Sequence, residues 1–274
     1  MAEVDGAKLY YEVRGRGPAL LMISGAGGDA GYYSQAAAIL EDSFTVITYD
    51  RRGNSRSSRR NDAPFSITEQ ARDAKELIDE FADGRAVVFG NSAGAIIGLA
   101  LAAAFPAAVA GLIAHEPPIL GVLPADAEDR DFFAQILAVA ETEGIAAAAT
   151  RFVQSIRGEG SYEWPAEILE RFLGNIGHLF TNEFGQIGEF IPDWDALTSG
   201  GVPIVMAAGN EDRGLFYATP SIIIAERLGT PWIEFPGNHL PFIERPREFA
   251  AALRAVATQI VSTTGGVPQH WTAP

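Results

Sequence analysis

The stretch AVVFGNSAG, residues 86–94, joins a run of aliphatic residues to a pentapeptide of the form G-x-S-x-G. The pentapeptide alone is a weak signal, but here it follows a strand-like run and opens an apolar, helix-like segment. A sharp turn from strand to helix needs small residues around its central serine, and Gly90, Ala93 and Gly94 meet that need. The stretch therefore predicts that Ser92 is presented as a nucleophile at the carboxyl edge of a sheet, rather than lying in a glycine-rich packing turn.

Strand-like and helix-like segments alternate on both sides of this turn. The runs rich in β-branched and aliphatic residues span 19–23, 44–49, 86–89, 111–114, 203–207 and 232–235. The helix-like segments span 67–81, 93–105, 221–228 and 246–261. Because the apolar runs lack strict alternation, we expect strands buried on both faces of a mostly parallel sheet, with helices on both sides. The predicted fold class is therefore α/β, and residues 9–18 suggest an initial hairpin.

The alternation stops between about residues 121 and 200, where no strand-like run occurs. We expect a helical cap or lid at 121–200, inserted into one discontinuous α/β core made of residues 1–120 and 201–262. Residues 263–274 are interpreted as a C-terminal tail. This organisation amounts to one large domain with an insert, which is common for a chain of this length.

Aromatic residues are frequent in the expected insert. An insert at the strand ends would cover the usual position of a ligand in an α/β sheet. Its aromatic residues therefore either form the core of the insert or line an apolar substrate pocket, and the two interpretations are compatible. Trp164, Phe184 and Trp194 are the candidates for the pocket.

The composition excludes several classes of partner and chemistry. The 274 residues include 20 Lys+Arg, 35 Asp+Glu and no Cys, which gives a net charge of −15. This acidic balance disfavours nucleic acid and anionic membranes as partners, and the absence of Cys removes thiolate metal sites and a cysteine nucleophile. The N-terminus lacks the basic and apolar regions of a signal peptide, so we expect a cytoplasmic protein. The uncharged stretch 93–114 contains Pro106 and is explained better by a buried helix and strand than by a membrane span.

A serine hydroxyl is a poor nucleophile unless a base accepts its proton, and four histidines are available for that role. His239 follows the last strand-like run, in a loop that can reach Ser92. His178 lies in the expected insert and His270 in the tail, while His115 could act as a structural hydrogen-bonding residue. The sequence therefore predicts His239 as the base.

The base must be held in the correct tautomer by an acid, and the sequence offers two candidates. Asp212 follows the strand-like run 203–207, and Glu116 follows the run 111–114. Both positions lie at the carboxyl edge of the predicted sheet, and the glutamate reaches further by one methylene group. Spacing alone does not choose between the two acids.

The negative oxygen that forms when a carbonyl is attacked needs two backbone N–H donors, and one is expected from Ala93. The loop SGAGG, residues 24–28, is expected to supply the other from Gly25 or Ala26, because glycine lets the backbone approach a substrate closely. The loop has neither the G-x-G-x-x-G order nor a Walker lysine, which disfavours phosphate binding. The locally basic segment 50–60 is interpreted as a tight turn with solvated arginines.

The strands, glycine loop, serine turn, candidate acids and late histidine together resemble the α/β-hydrolase superfamily over nearly the whole chain. Four stretches are similar to the zearalenone (resorcylic lactone) hydrolases: DGAKLYYEVRGRGP (5–18), FTVITYDRRGNSRSS (44–58), the pair His115 and Glu116, and FPGNHLPFIERPREFA (235–250). The acid of that family is a glutamate after its sixth strand, so the resemblance implies Glu116 as the acid. It also implies Gly25 and Ala93 as the oxyanion donors. The chain departs from that family in keeping Asp212 and in the sequence of its insert.

These observations together predict a cofactor-free serine hydrolase, an esterase or lactonase without a metal ion. Its substrate would be an ester or lactone of an apolar, aromatic small molecule, cleaved through an acyl-enzyme. A carbon–carbon bond hydrolase or a perhydrolase would use the same residues, and a small-molecule receptor with a hydrolase fold is the alternative that is not an enzyme. The exact substrate and the oligomeric state are left open, and a homodimer is compatible with the sequence.

Overall fold

Seven strands form one central sheet in a computed structural model of the chain, which describes residues 1–58, 64–156 and 164–263. A separate pair is formed by β1 (Ala2–Val4) and β2 (Ala7–Leu9). The strands of the central sheet are β3 (Tyr11–Arg14), β4 (Ala19–Ile23), β5 (Thr45–Tyr49), β6 (Ala86–Asn91), β7 (Val109–His115), β8 (Ile204–Gly209) and β9 (Trp232–Phe235). Their order in the sheet is β3-β5-β4-β6-β7-β8-β9, and only the pair β3 and β5 is antiparallel. The mostly parallel α/β sheet predicted from the sequence is confirmed. The predicted tail beyond Thr263, with His270, lies outside the described residues.

Helices cover both faces of this sheet. They are α1 (Ser34–Leu40), α2 (Ile67–Phe81), α3 (Ala93–Ala104), α4 (Phe132–Thr142), α5 (Ile145–Ile156), α6 (Ala166–His178), α7 (Phe184–Gly188), α8 (Trp194–Ser199), α9 (Thr219–Leu228), α10 (Pro241–Glu244) and α11 (Pro246–Ser262). Along β6, Val88 packs in the core beneath α2 and α3, whereas Val87 and Phe89 pack in the core beneath α1 and α11. Both faces of the strand are therefore buried, which explains why its sequence does not alternate between apolar and polar residues.

The initial hairpin predicted from residues 9–18 is wrong in its pairing. β1 and β2 form a separate antiparallel pair, with Ala2 opposite Leu9. β3 pairs with β5 rather than with β4, so the turn at 15–18 connects two strands that are not neighbours. β4 pairs in parallel with β5 on one side and β6 on the other, so neither side of β4 is free for β3. β3 lies instead beyond β5, at the edge of the sheet.

The uncharged stretch 93–114 folds as the helix α3, a short turn at Pro106 and most of the strand β7. α3 packs against α2, β6 and β7, so its apolar residues are buried within the protein. No helix in the described part of the chain has the length and apolarity needed to cross a bilayer.

Between β7 and β8 the described residues form the helices α4 to α8 and no strand. Phe184 lies at the centre of an aromatic cluster in this insert. Its ring centroid is 4.9 Å from that of Phe133, 5.2 Å from Phe152 and 4.8 Å from Phe180. The aromatic residues of the insert therefore pack against one another, in a cluster that continues into the core on one face of the sheet. The division of the chain into a core and a cap at the boundaries given above stays a prediction.

Candidate active site

Ser92 alone forms the turn between β6 and α3, since the strand ends one residue before it and the helix begins one residue after it. Its backbone has φ 55° and ψ −122°, a conformation that costs a residue other than glycine roughly 1–3 kcal/mol. The Ser92 N–H donates to the carbonyl of His115 at 2.9 Å, which holds the turn against β7. A Cβ on Gly94 would lie 2.1 Å from the carbonyl oxygen of Ile23, so this position requires glycine. The local structure around Ser92 is therefore the strained turn that the pentapeptide predicts.

His239 and Glu116 are brought together at the carboxyl edge of the sheet. Nδ1 of His239 lies 2.6 Å from Oε2 of Glu116, and both side chains are buried. The second carboxylate oxygen, Oε1, accepts the backbone N–H of Gly209 at 2.8 Å. With Nδ1 donating to Glu116, Nε2 is the nitrogen that remains to accept a proton from Ser92, which lines the same cavity as His239.

Of the two acids that the sequence leaves open, Glu116 makes the hydrogen bond to His239. Asp212 lies three residues beyond the end of β8 and is also fully buried. One side-chain atom from each of Glu116, Asp212 and His239 lies within 4.8 Å of the others. Such a set could also hold a cation, but a direct hydrogen bond between carboxylate and imidazole is the contact that orients a catalytic histidine.

Burial controls the pKa values in this cluster. Burial lowers the pKa of His239 to about 4, against an opposing effect of Asp212, so the imidazole is neutral at pH 7 and able to accept a proton. Burial raises the pKa of Glu116, whereas the Gly209 N–H and the Asp212 side chain lower it. Burial and then the charge of Glu116 raise the pKa of Asp212. The two carboxyl groups therefore compete for one negative charge.

Asn91 is a residue of the site that sequence reasoning missed. Its Nδ2 group donates to the backbone carbonyl of His239 at 3.0 Å and lies 3.0 Å from Nδ1 of His115. Burial lowers the pKa of His115, which stays neutral and has a structural role. Because Asn91 ties the His239 loop to β6, the second position of the pentapeptide is the signal that could have identified it.

The loop 24–28 lies directly against the turn at Ser92. A Cβ on Gly25 would lie 3.1 Å from the Cβ of Ser92, so glycine permits the close approach. Gly25 and Ala26 line the same cavity as Ser92. Ala93 is the first residue of α3, so its N–H has no acceptor within the helix. This arrangement can direct two backbone N–H groups at an oxygen bound next to Ser92.

Two buried side chains that sequence reasoning missed support this loop. Arg51 donates through Nη2 to the carbonyl of Gly25 at 3.2 Å, and Asn175 donates through Nδ2 to the carbonyl of Gly27 at 2.9 Å. Asn175 lies on α6, so the insert helps to hold the loop that faces the nucleophile. Both contacts join residues far apart in the chain, and no local pattern signals them.

The interpretation of segment 50–60 as a turn with solvated arginines is wrong for the arginines at its start. Arg51 is fully buried and Arg52 is 6% exposed. Arg52 pairs with buried Asp73 at 2.6 Å. The side chains of Arg51 and Arg52 point inward because each pairs there with a buried carboxylate. Residues 59 and 60 lie outside the described residues.

Arg51 forms a buried bidentate ion pair with Glu183, with Nη2 2.8 Å from Oε2 and Nη1 3.2 Å from Oε1. Glu183 ends a π-helical turn of the insert, and it also accepts from Asn54 at 2.9 Å and lies 3.1 Å from Nε2 of His178. Burial alone would raise the pKa of Glu183, but the Arg51 charge and the His178 hydrogen bond outweigh it and lower the pKa to about 2. The insert is therefore anchored to the core by a buried charge pair.

Arg51→Met is expected to destabilise the protein by about 3–5 kcal/mol, because the charge of Glu183 would remain buried without its partner. The free energy of unfolding from urea denaturation measures this loss. Arg213→Met is the matched control, since Arg213 pairs with Glu234 at the surface and such pairs contribute little. Equal unfolding midpoints for the two variants would contradict the anchoring role of Arg51.

The cavity beside Ser92 and His239 is small, with a volume of about 10 Å³, room for about one water molecule. Its walls on the insert side are apolar and come from Phe152, Ile156, Trp164 and Phe172. The insert therefore covers the candidate site, and the cavity is too small for a molecule larger than water unless some of these side chains move.

Of the three predicted pocket residues, the structure places only Trp164 at this cavity. Phe184 is fully buried in the aromatic cluster of the insert. Trp194 begins α8, which packs on α3, and its ring lies under the guanidinium of Arg227 at 4.0 Å. Phe184 and Trp194 therefore contribute to packing and not to the wall of this cavity. Phe152 and Phe172 line the cavity together with Trp164.

Comparison with known proteins gives a consistent result. The model of the Alpha/beta hydrolase family matches residues 20–252. Uncharacterized hydrolase YraK of Bacillus subtilis (strain 168) is 34% identical over 257 residues, covering 92% of this chain and 93% of the relative.

Solved structures with the same fold include two enzymes that are named for ester or lactone cleavage. A bacterial membrane phospholipase A superposes with a TM-score of 0.75 at 24% identity, covering 96% of this chain and 86% of that chain. The enol-lactonase from Burkholderia xenovorans LB400 superposes with a TM-score of 0.69 at 22% identity, covering 94% of this chain and 99% of that chain. At these identities, the likeness to the two enzymes shows the fold alone.

Proposed function

The chain belongs to the alpha/beta hydrolase family, and from that premise we propose that it is a serine hydrolase that cleaves an ester or lactone bond of an apolar, aromatic small molecule. One observation carries the proposal. Ser92, in a strained turn with φ 55°, lines the same cavity as His239, whose Nδ1 lies 2.6 Å from the Glu116 carboxylate. A nucleophile, a base and an acid that orients the base are the minimum set for acyl transfer.

In the proposed reaction, Oγ of Ser92 attacks the substrate carbonyl carbon while Nε2 of His239 accepts the hydroxyl proton. The carbonyl oxygen becomes negative and is bound by the N–H of Ala93 and by that of Gly25 or Ala26; removing one such donor typically costs about 10²–10³-fold in turnover. His239 then gives its proton to the leaving alkoxide, which departs as an alcohol. A water molecule then gives a proton to His239 and attacks the acyl-enzyme carbonyl, and His239 returns that proton to Oγ of Ser92 as the acid is released.

A second, larger space lies next to the cavity beside Ser92 and could hold the part of a substrate that the cavity is too small for. A groove of about 930 Å³ lies between α5 and α6 and is lined mostly by apolar side chains. Trp164 and Phe172 line both the groove and the cavity beside Ser92. An apolar group of the substrate can therefore occupy the groove while its carbonyl lies at Ser92, which is consistent with the resorcylic lactones suggested by the sequence resemblance.

Trp164→Ala is expected to favour bulky substrates, because removing the indole would join the groove to the cavity. We expect the ratio of kcat/KM for an aryl octanoate to that for the aryl acetate to rise about tenfold, the value of about one methylene group in an apolar pocket. Steady-state kinetics with the two esters measures the ratio. Trp194→Ala is the control, and an equal ratio in both variants would refute the gating position of Trp164.

The proposed function is tested by a hydrolysis panel of short and long aryl esters, macrolactones and β-diketones, each assayed with the wild type and Ser92→Ala. We expect multiple turnover of esters or lactones by the wild type only. Turnover confined to β-diketones would indicate carbon–carbon bond hydrolysis instead. Tight binding of a ligand without turnover would indicate a receptor.

A further inference from the structure

Asp212 is a buried carboxyl group that the proposed reaction does not use. It is fully buried, and neither of its carboxylate oxygens has a hydrogen-bond partner within the described residues. It nevertheless lies in the same cluster as Glu116 and His239, with one atom of each within 4.8 Å of the others. A charged carboxylate without donors in such a position would be strongly destabilising, so its protonation state needs an explanation.

The hydrogen bonds of Glu116 indicate which of the two carboxyl groups carries the charge. Both oxygens of Glu116 accept hydrogen from nitrogen, one from Gly209 and one from Nδ1 of His239. Those contacts stabilise the ionised form of Glu116. Asp212 accepts no backbone N–H and no imidazole hydrogen within the described residues, and the Tyr217 hydroxyl that lowers its pKa is outweighed by burial and by the charge of Glu116. Two neighbouring carboxyl groups in a buried site do not both ionise. A proton bound by the pair therefore resides on Asp212.

Groups on three neighbouring elements face Asp212. Glu116 follows β7, His239 follows β9, and Tyr217 precedes α9 with its ring 4.6 Å from the imidazole of His239. Glu244 of α10 acts on Tyr217 in turn. Of these groups only His239 can carry a positive charge, and it is neutral in its role as base. The surroundings therefore favour the uncharged form of Asp212.

We propose that Asp212 is a neutral positioning residue whose carboxyl hydrogen is donated to Glu116, holding the charged Glu116 against His239. This inference rests on the proposed function, in which Glu116 is the acid of the triad. Asp212 then supports Glu116 and is not an alternative acid of the triad. The pair carries one proton and one negative charge, as two neighbouring carboxyl groups can do.

The pH dependence of stability follows from the same arrangement. Burial and the charge of Glu116 raise the pKa of Asp212 from 3.8 to about 8, against the opposing effects of His239 and Tyr217. Burial also raises the pKa of Glu116 to about 8, so the hydrogen bonds of Glu116, and not the pKa values, assign the proton to Asp212. A carboxyl group with a raised pKa binds its proton more tightly in the folded state than in the unfolded state. Stability is therefore greatest below the unfolded pKa of 3.8 and falls as pH rises toward about 8. Replacing Asp212 by a neutral residue removes its share of this fall, and buried Glu116 accounts for what remains.

Three variants test the role of Asp212, with a short aryl acetate as the substrate. Asp212→Ala removes the donor, and we expect kcat/KM at pH 7 to drop about tenfold or more because Glu116 is no longer held. Asp212→Asn provides an N–H donor of similar shape and is expected to restore most of that loss. The urea midpoint of the wild type is expected to fall between pH 6 and about pH 8, and that of Asp212→Asn to change less. Glu211→Gln, in the exposed loop beside Asp212, serves as the control and should keep the pH dependence of the wild type.

Two kinetic results would overturn the proposal. If Asp212→Asn is as inactive as Glu116→Gln, Asp212 acts in its ionised form. If Asp212→Ala and Asp212→Asn both match the wild type, Asp212 has no part in positioning. Failure of the wild type to hydrolyse any ester would count against the proposed function instead, and the urea midpoints of the wild type and Asp212→Asn would still decide whether Asp212 is neutral. Equal pH dependence of those midpoints would overturn the inference even if Asp212→Ala fails to fold.

Discussion

Ser92→Ala is expected to lower kcat/KM toward aryl esters by about 10⁴-fold or more, because the acyl-enzyme can no longer form. The oxyanion donors and the cavity remain in this variant, so some acceleration over the uncatalysed reaction is expected to persist. The substitution removes one oxygen atom and leaves the backbone at Ser92 with the same positive φ. Single-turnover and steady-state hydrolysis of an aryl acetate measure the loss.

Ser262→Ala is the matched control for this experiment. Ser262 is exposed at the end of α11, and its hydroxyl donates to the carbonyl of Thr258 at 2.8 Å. Its loss is expected to leave kcat/KM at the wild-type value. Retention of more than about a tenth of the activity by Ser92→Ala would show that another group, or water alone, attacks the carbonyl.

Glu116→Gln is expected to lower kcat/KM by about 10⁴-fold with little change in structure. The glutamine oxygen can still accept the N–H of Gly209, but its amide nitrogen would face Nδ1 of His239 and donate to it. The imidazole would then carry its proton on Nε2, the atom that must accept the proton of Ser92. The effect is thus a change of tautomer, and it is measured by kcat/KM over a pH range together with the urea midpoint.

Glu211→Gln provides the comparison, since Glu211 is an exposed glutamate that pairs with Arg245. We expect its kcat/KM to match that of the wild type. Full activity of Glu116→Gln together with inactivity of Asp212→Asn would assign the triad acid to Asp212. The two carboxyl groups are close enough that only such paired substitutions separate their roles.

The features that could be predicted from the sequence are those encoded locally. The elbow at Ser92 is predicted because the requirement for small neighbours falls on adjacent residues, and Gly94 meets it against the carbonyl of Ile23. The placement of His239 follows from its position after the last strand of a parallel sheet. The fold class follows from the alternation of buried strands and helices. In each case the pattern itself lies within a few neighbouring residues.

The features that could not be predicted depend on contacts between distant residues. The choice of Glu116 over Asp212 rests on the 2.6 Å contact between Oε2 of Glu116 and Nδ1 of His239, and on the N–H of Gly209 that Oε1 accepts. The burial of Arg51 depends on Glu183, which lies in another part of the chain. The pairing of β3 with β5 cannot be predicted from the sequence, because chain order does not specify the neighbour of an edge strand.

The roles of the aromatic residues in the insert also depend on distant contacts. The sequence predicts that some form a core and some line a pocket, but it does not show which residue does which. Phe184 is in the core because Phe133, Phe152 and Phe180 surround it. Trp164 reaches the cavity from the residues that precede α6. Helical periodicity alone does not show which face of an inserted helix points at the sheet.

The covalent role of Ser92 is tested most directly by reaction with a fluorophosphonate probe, followed by mass spectrometry of the intact protein and its peptides. Displacement of fluoride by Oγ of Ser92 would leave a phosphonyl adduct on the peptide that contains residue 92. The account predicts one adduct at Ser92 in the wild type, and none there in Ser92→Ala. A wild-type protein that hydrolyses esters but forms no adduct at Ser92 would contradict it.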